Sequence, residues 1–211
     1  MKPKSAQLSA AEYLERESRS RFKHEYVDGE IYAMSGATRR HNLIASNLIR
    51  HAGAAADRGK CQVFGSDMKV HVEARNSFYY PDLSVCCDPR DRHELYLVRP
   101  CFIVEILSPS TAAIDRREKR VSYSTLASLS EYAIVNQDSM RVELYRRESP
   151  DRQGSTAWRG YLLSEPDDIV ESSCLAMRLS LTEIYDGVEL PSGVAEPEPP
   201  EYAAELVPNE T

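Results

Sequence analysis

Phe78–Cys87, FYYPDLSVCC, followed thirteen residues later by Cys101–Leu107, CFIVEIL, is the pair of segments on which the reading of this chain turns. Both are rich in β-branched and aromatic residues and bounded by Asn, Asp, Pro and Arg clusters, so both read as strands. Each contains one carboxylate where a buried strand should be apolar. Asp82 follows Pro81, which cannot donate to a strand ladder and so ends or kinks it where the aspartate projects. Glu105 lies inside FIVEIL, and a carboxylate there must find a cation or give up its charge. That cation could be one of the many arginines or a bound metal ion; spacing alone leaves both open.

Working outward, QVFGSDMKVHVE (62–73) supplies another strand run, making three with the quoted pair. Upstream, KHEYVDGEIYAM holds two β-prone runs around Asp28-Gly29, a hairpin signal because both turn residues tolerate positive φ. LSAAEYLERESR (8–19) reads as a helix with Leu8, Ala11 and Leu14 on one face. Thr38 is placed to cap a second helix carrying Leu43, Ile44, Asn47, Leu48 and His51 at helical spacing, with Gly59 closing that region. Downstream, Pro109 stops the FIVEIL strand, and Ala112 to Leu126 reads as a helix of about four turns. EYAIVN, RVELYRR and GYLLS are further strands, and LTEIYDG is a short helix. This order is mixed α/β without strict βαβα alternation. Neither GxGxxG nor GxxxxGK[ST] occurs, so dinucleotide and P-loop chemistries have no support.

At 211 residues the chain fits one domain, expected over residues 1–190, with a core large enough to need neither disulfide nor metal to fold. Residues 191–211, Pro- and Glu-rich with few apolar side chains, are expected to be disordered. The net charge of −7 is concentrated there: residues 181–211 hold eight acidic side chains and no Lys or Arg, leaving 25 acidic against 26 basic in the remainder. A near-neutral body can carry a basic patch. No apolar run approaches the roughly 20 residues that span a bilayer, and the N-terminus lacks a signal-peptide core, so the expected location is the cytoplasm and no membrane partner is expected. Cys61, Cys86, Cys87, Cys101 and Cys174 are odd in number and lack zinc-site spacing; they read as small buried hydrophobes. Cys86 and Cys87 point to opposite faces of their strand and are not expected to share a ligand.

The order Pro-Asp, 22 residues, then Glu on an apolar strand resembles the PD-(D/E)xK nuclease superfamily. More narrowly, residues 12–187 resemble the Uma-two family of "putative restriction endonucleases", through HEYVDGEIYAMSGA, RRHNLIASNL, FGSDMKV, YYPDLSV, FIVEILSPST, DRREKRVSY and EYAIVNQD. The resemblance implies a restriction-endonuclease-like core, a central mixed β-sheet flanked by helices. It implies that Asp82, Glu105 and the backbone carbonyl of Ile106 hold Mg²⁺, for which Mn²⁺ can substitute, and that a metal-activated water hydrolyses DNA phosphodiester bonds. The superfamily's lysine two residues after the glutamate would fall at Leu107, which cannot serve; Lys119 of DRREKR is the migrated candidate, with a helical i,i+4 pair to Asp115 as the alternative. Glu25 resembles a further metal-ligating acid, or is an exposed hairpin charge. His41 matches the family motif, and Arg39 and Arg40 are candidate phosphate contacts. A homodimer that cuts both strands is the expected assembly. The competing expectation is an inactive module of the same fold that binds nucleic acid or protein, favoured by Leu107.

Overall fold

A computed structural model describes residues 7–56, 60–107, 118–149, 157–191 and 206–208. The Asp28-Gly29 hairpin forms as read: β1 (His24–Val27) pairs with β2 (Glu30–Ala33), and both turn residues have positive φ, 45° and 99°. Helix α1 (Ala10–Glu17) begins on a capping box in which Ser9 and Glu12 satisfy each other's backbone donors. Its buried residue is Tyr13, packed with Tyr26 and Phe78, while Ala11 is exposed. The expected Leu8–Ala11–Leu14 face is therefore rotated, because the large aromatic outweighs alanine in apolar area. Helix α2 (Arg39–Ala56) is capped by Thr38, whose Oγ1 accepts from His41 N at 3.2 Å, and it buries Ile44, Asn47 and Leu48 together with three alanines.

The strand runs divide in a way their composition does not reveal. QVFGSDMKVHVE becomes β3 (Gln62–Gly65) and β4 (Lys69–Val72), and FYYPDLSV becomes β5 (Ser77–Tyr79) and β6 (Leu83–Cys86). In each case the two halves belong to different sheets. A two-residue strand β7 (Tyr96–Leu97), β8 (Phe102–Leu107), helix α3 (Arg120–Ser124), β9 (Glu131–Asn136), β10 (Val142–Arg147) and β11 (Trp158–Leu163) follow. The hairpin β12 (Ile169–Ser172) and β13 (Met177–Ser180), helix α4 (Leu181–Ile184) and β14 (Leu206–Pro208) complete the chain. The first sheet has the order β2-β1-β5-β4-β7, and the central one β14-β11-β10-β9-β8-β6-β3. Within the central sheet β8 and β9 run parallel, so the connection containing α3 is a crossover over one face, while β6 lies antiparallel to β8.

One face of the central sheet, carrying Phe102, Val104, Ile106 and Val135, packs on α2, α4 and the β12–β13 hairpin. The opposite face, carrying Ile103, Leu107, Tyr132 and Ile134, packs on α3 and on the first sheet through Val70, Val72 and Tyr79. Leu107 is thus core. One sequence expectation needs correction. Four of the five cysteines are not free hydrophobes: Cys61–Cys87 and Cys101–Cys174 are disulfides, and only Cys86 is a buried thiol. The partners lie 26 and 73 residues apart, separations that no short spacing motif encodes. In the acidic tail, Leu206–Pro208 adds a parallel strand to the β11 edge. The first part of the expected Ala112–Leu126 helix, Gly59 and most of the tail lie outside the described residues.

Candidate active site at the junction of two sheets

Tyr80-Pro81-Asp82 is the link by which the chain leaves the first sheet and enters the central one. Pro81 cannot continue a ladder, so the chain turns there and Asp82 emerges at the rim. One of its oxygens, Oδ2, accepts the backbone N–H of Ile106 at 2.7 Å, which fixes the carboxylate against the peptide that follows Glu105. The other, Oδ1, lies 3.3 Å from Nε2 of His41, delivered by the first turn of α2.

Glu105 stands on the face of β8 that looks toward α3 and is 5% exposed. Its Oε1 accepts the Tyr123 hydroxyl at 2.8 Å and meets Lys119 Nζ at 3.3 Å. Lys119, immediately before α3 and 6% exposed, also ion-pairs Glu25 Oε1 at 2.8 Å and lies 5.6 Å from the Tyr79 ring centroid. Glu25 in turn accepts the backbone N–H of Tyr80 at 3.2 Å. Six segments thus converge: β1, the α2 start, the β5–β6 link, β8, the residue before α3, and α3 itself. Burial, and then the negative charge of Glu105, push the Tyr123 hydroxyl well above the ordinary phenol range, so it remains a donor to Glu105.

The predicted residues fare differently. Asp82, Glu105, Lys119, Glu25 and His41 are brought together. Asp115, the alternative partner of Lys119, lies outside the described residues. Arg40 is held by Asp138 at 2.6 Å, and Arg39 is exposed. Among the described residues the only His, Cys, Asp or Glu trio with ligand atoms all within 4.8 Å of one another is a cysteine group. Glu25 therefore keeps company with the lysine and does not complete a three-ligand cluster with Asp82 and Glu105.

Sequence reading missed the supporting layer. Tyr80 donates its hydroxyl to Glu17 Oε1 at 2.9 Å, and Glu17 accepts the His24 backbone N–H at 2.8 Å. Lys69 Nζ reaches the Tyr80 oxygen at 3.3 Å, and burial lowers its pKa. Tyr123 was equally unannounced: in DRREKRVSY it is one aromatic near a helix, and only the crossover turns it onto Glu105.

A mixed sheet that presents an aspartate after a proline and a glutamate on the next strand, with a buried lysine between acids, has the build of a restriction-endonuclease-like α/β protein. The chain belongs to the Uma2 family, described as "Putative restriction endonuclease", whose model matches residues 10–182. It is similar to two Synechocystis proteins, slr1290 and sll1609, both called uncharacterized. The first is 36% identical over 86% of this chain and 93% of its own length. The second is 36% identical over 69% of this chain and 84% of its own length. A crystal structure from Anabaena variabilis, described as a "putative nuclease belonging to DUF820", shares the fold with a TM-score of 0.62 at 20% identity, over 86% of this chain and 99% of that one. No helix among the described residues is long and apolar enough to cross a membrane.

Proposed function

We propose that the chain is a divalent-metal-dependent endonuclease that hydrolyses DNA phosphodiester bonds, working as a homodimer in which each copy cuts one strand. The observation that carries the reading is Lys119. Leu107 is core, yet an ammonium from a different element arrives 3.3 Å from Glu105, on the strand whose Ile106 N–H is held by Asp82.

The donor set fits a hard cation. Asp82 and Glu105 offer carboxylate oxygens from neighbouring strands at one rim, and Mg²⁺ is commonly held by one or two carboxylates, with waters completing its shell. Asp82, Glu105 and the Ile106 carbonyl would hold it, and Mn²⁺ would substitute. Bound there, the ion supplies Lewis-acid polarisation of the scissile phosphate and of water.

The remaining work falls to the chain's own side chains. Lys119 faces the charge that develops on the non-bridging phosphate oxygens, and Glu25 holds that ammonium in place. His41 and the Ile106 N–H share the two oxygens of Asp82 and keep its carboxylate plane from rotating. Tyr123, held protonated, orients Glu105. Next to α3 lies a cavity lined by Arg120, Tyr123, Tyr145 and Trp158.

Calorimetric titration of Mg²⁺ or Mn²⁺ into the wild type and into Asp82→Asn tests the reading. It requires a saturable heat in the first that is lost in the second. Equal heats in both would overturn it.

A further inference from the structure

A second cluster of chemistry-bearing residues lies at the other end of the same strands. Cys61 immediately precedes β3, Cys87 follows β6, Cys101 precedes β8 and Cys174 sits in the β12–β13 turn. They pair as Cys61–Cys87 and Cys101–Cys174, and the two pairs touch. Cys87 Sγ lies 3.5 Å from Cys101 Sγ, and the sulfurs of Cys87, Cys101 and Cys174 all fall within 4.8 Å of one another. Cys101 is four residues before Glu105 on an extended strand, so the cluster stands roughly 13 Å along the sheet from the carboxylates.

Two structural cross-links have no need to sit in sulfur-to-sulfur contact; three sulfurs within 4.8 Å of one another, with Cys61 bonded to one of them, have the build of a thiolate site that Cys61 can complete once its disulfide is opened. Sulfurs bound tetrahedrally at about 2.3 Å from one zinc ion are spaced about 3.8 Å apart, the scale of the 3.5 Å contact between Cys87 and Cys101. No carboxylate belongs to the converging group, which therefore favours a soft or borderline cation over Mg²⁺. Ser172 Oγ lies 3.5 Å from Cys174 Sγ, in place to donate to a thiolate. Cys101 is buried while the other three are half-buried, which leaves an approach for the ion.

The geometry points to a redox-controlled Zn²⁺ site on Cys61, Cys87, Cys101 and Cys174, with the two disulfides as its oxidised, metal-free form. Each disulfide is reduced by one dithiol, which closes to its own cyclic disulfide and leaves two cysteine thiols. Zn²⁺ then displaces four protons and binds four thiolates. Oxidation by a disulfide of the same class reverses both steps and releases the ion. The site is independent of the nuclease reading, because its ligands and the carboxylates share no residue.

The test uses the full chain, reduced with dithiothreitol, desalted without oxygen and titrated with Co²⁺. Tetrahedral thiolate coordination gives intense sulfur-to-cobalt charge-transfer and visible d–d bands. These should plateau at one Co²⁺ per chain, bleach on adding Zn²⁺, and be absent from the oxidised protein. Cys86→Ser, a buried thiol on the other core, should leave them intact, whereas Cys174→Ser should weaken them and lower affinity at least 10-fold. Reduced wild type without these bands overturns the proposal, a result that depends on no variant folding. So do charge-transfer bands that keep wild-type intensity and affinity in Cys174→Ser, since Cys174 would then be no ligand.

Discussion

Replacing Lys119 with methionine keeps most of the side-chain volume and removes the ammonium that pairs with both Glu25 and Glu105. The ammonium stands 2.8 Å from the first and 3.3 Å from the second, with all three side chains no more than 14% exposed. At an effective dielectric near 20, those separations correspond to gross attractions of about 6 and about 5 kcal/mol. Desolvation of the three charges offsets most of that sum, and losing one member of a buried ionic pair costs about 3–5 kcal/mol in practice. For a chain of this length each kcal/mol moves the melting temperature by about 2–4 °C. Lys119→Met, scanned in chelator by calorimetry, should therefore melt roughly 6–20 °C below wild type. Adding Glu25→Gln to it should recover part of the loss, because one of the two acids that lose the ammonium is then neutral. Cleavage by Lys119→Met in Mg²⁺ should fall by two or more orders of magnitude, roughly what one electrostatic contact contributes in a transition state. A melting temperature within about 2 °C of wild type, as expected for an exposed ion pair, would show that Lys119 is not a buried partner of the two acids.

Tyr123→Phe removes the hydroxyl donor to a buried carboxylate and should cost about 1.5–3 kcal/mol by denaturant titration, with the slope of the unfolding line unchanged. Glu131 has its pKa raised, first by burial and against the bonds from Ser173, so its folded pKa exceeds the unfolded one. Its protonated form is then the more stably folded, and stability is lost as pH rises through the folded value. Glu131→Gln should accordingly melt above wild type at pH 8, with the gap closing as the pH is lowered below the ordinary carboxylate range.

Much of the fold is legible because local signals carry it. Asp28-Gly29 dictates its hairpin, Thr38 its helix start, and the apolar runs their strands. What runs together in one dimension separates in three. FYYPDLSV is one β-prone stretch, and its division between two sheets depends on what lies on either side of Pro81 in space. Asp82 and Glu105 stood out because a carboxylate in an apolar strand is costly enough to demand a reason, and the resemblance joined them into one candidate site. Glu25 gave no such signal: beside Asp28 and Glu30 it looks like an exposed hairpin charge, and only packing against Lys119 and Tyr80 buries it. The cysteines were misread for the same cause, since their proximity is a product of strand order and of a hairpin that folds back from 73 residues away.

Whether this chain cuts DNA is decided by a plasmid assay. Supercoiled plasmid is incubated with purified wild type in Mg²⁺, in Mn²⁺ and in chelator, beside Asp82→Asn and Glu105→Gln shown to be folded by circular dichroism. Nicked or linear DNA is expected with wild type and divalent metal only, and none above background with either variant. Wild type that leaves the plasmid intact in both metals, or variants that cut as fast as wild type, would contradict metal-dependent cleavage at these carboxylates.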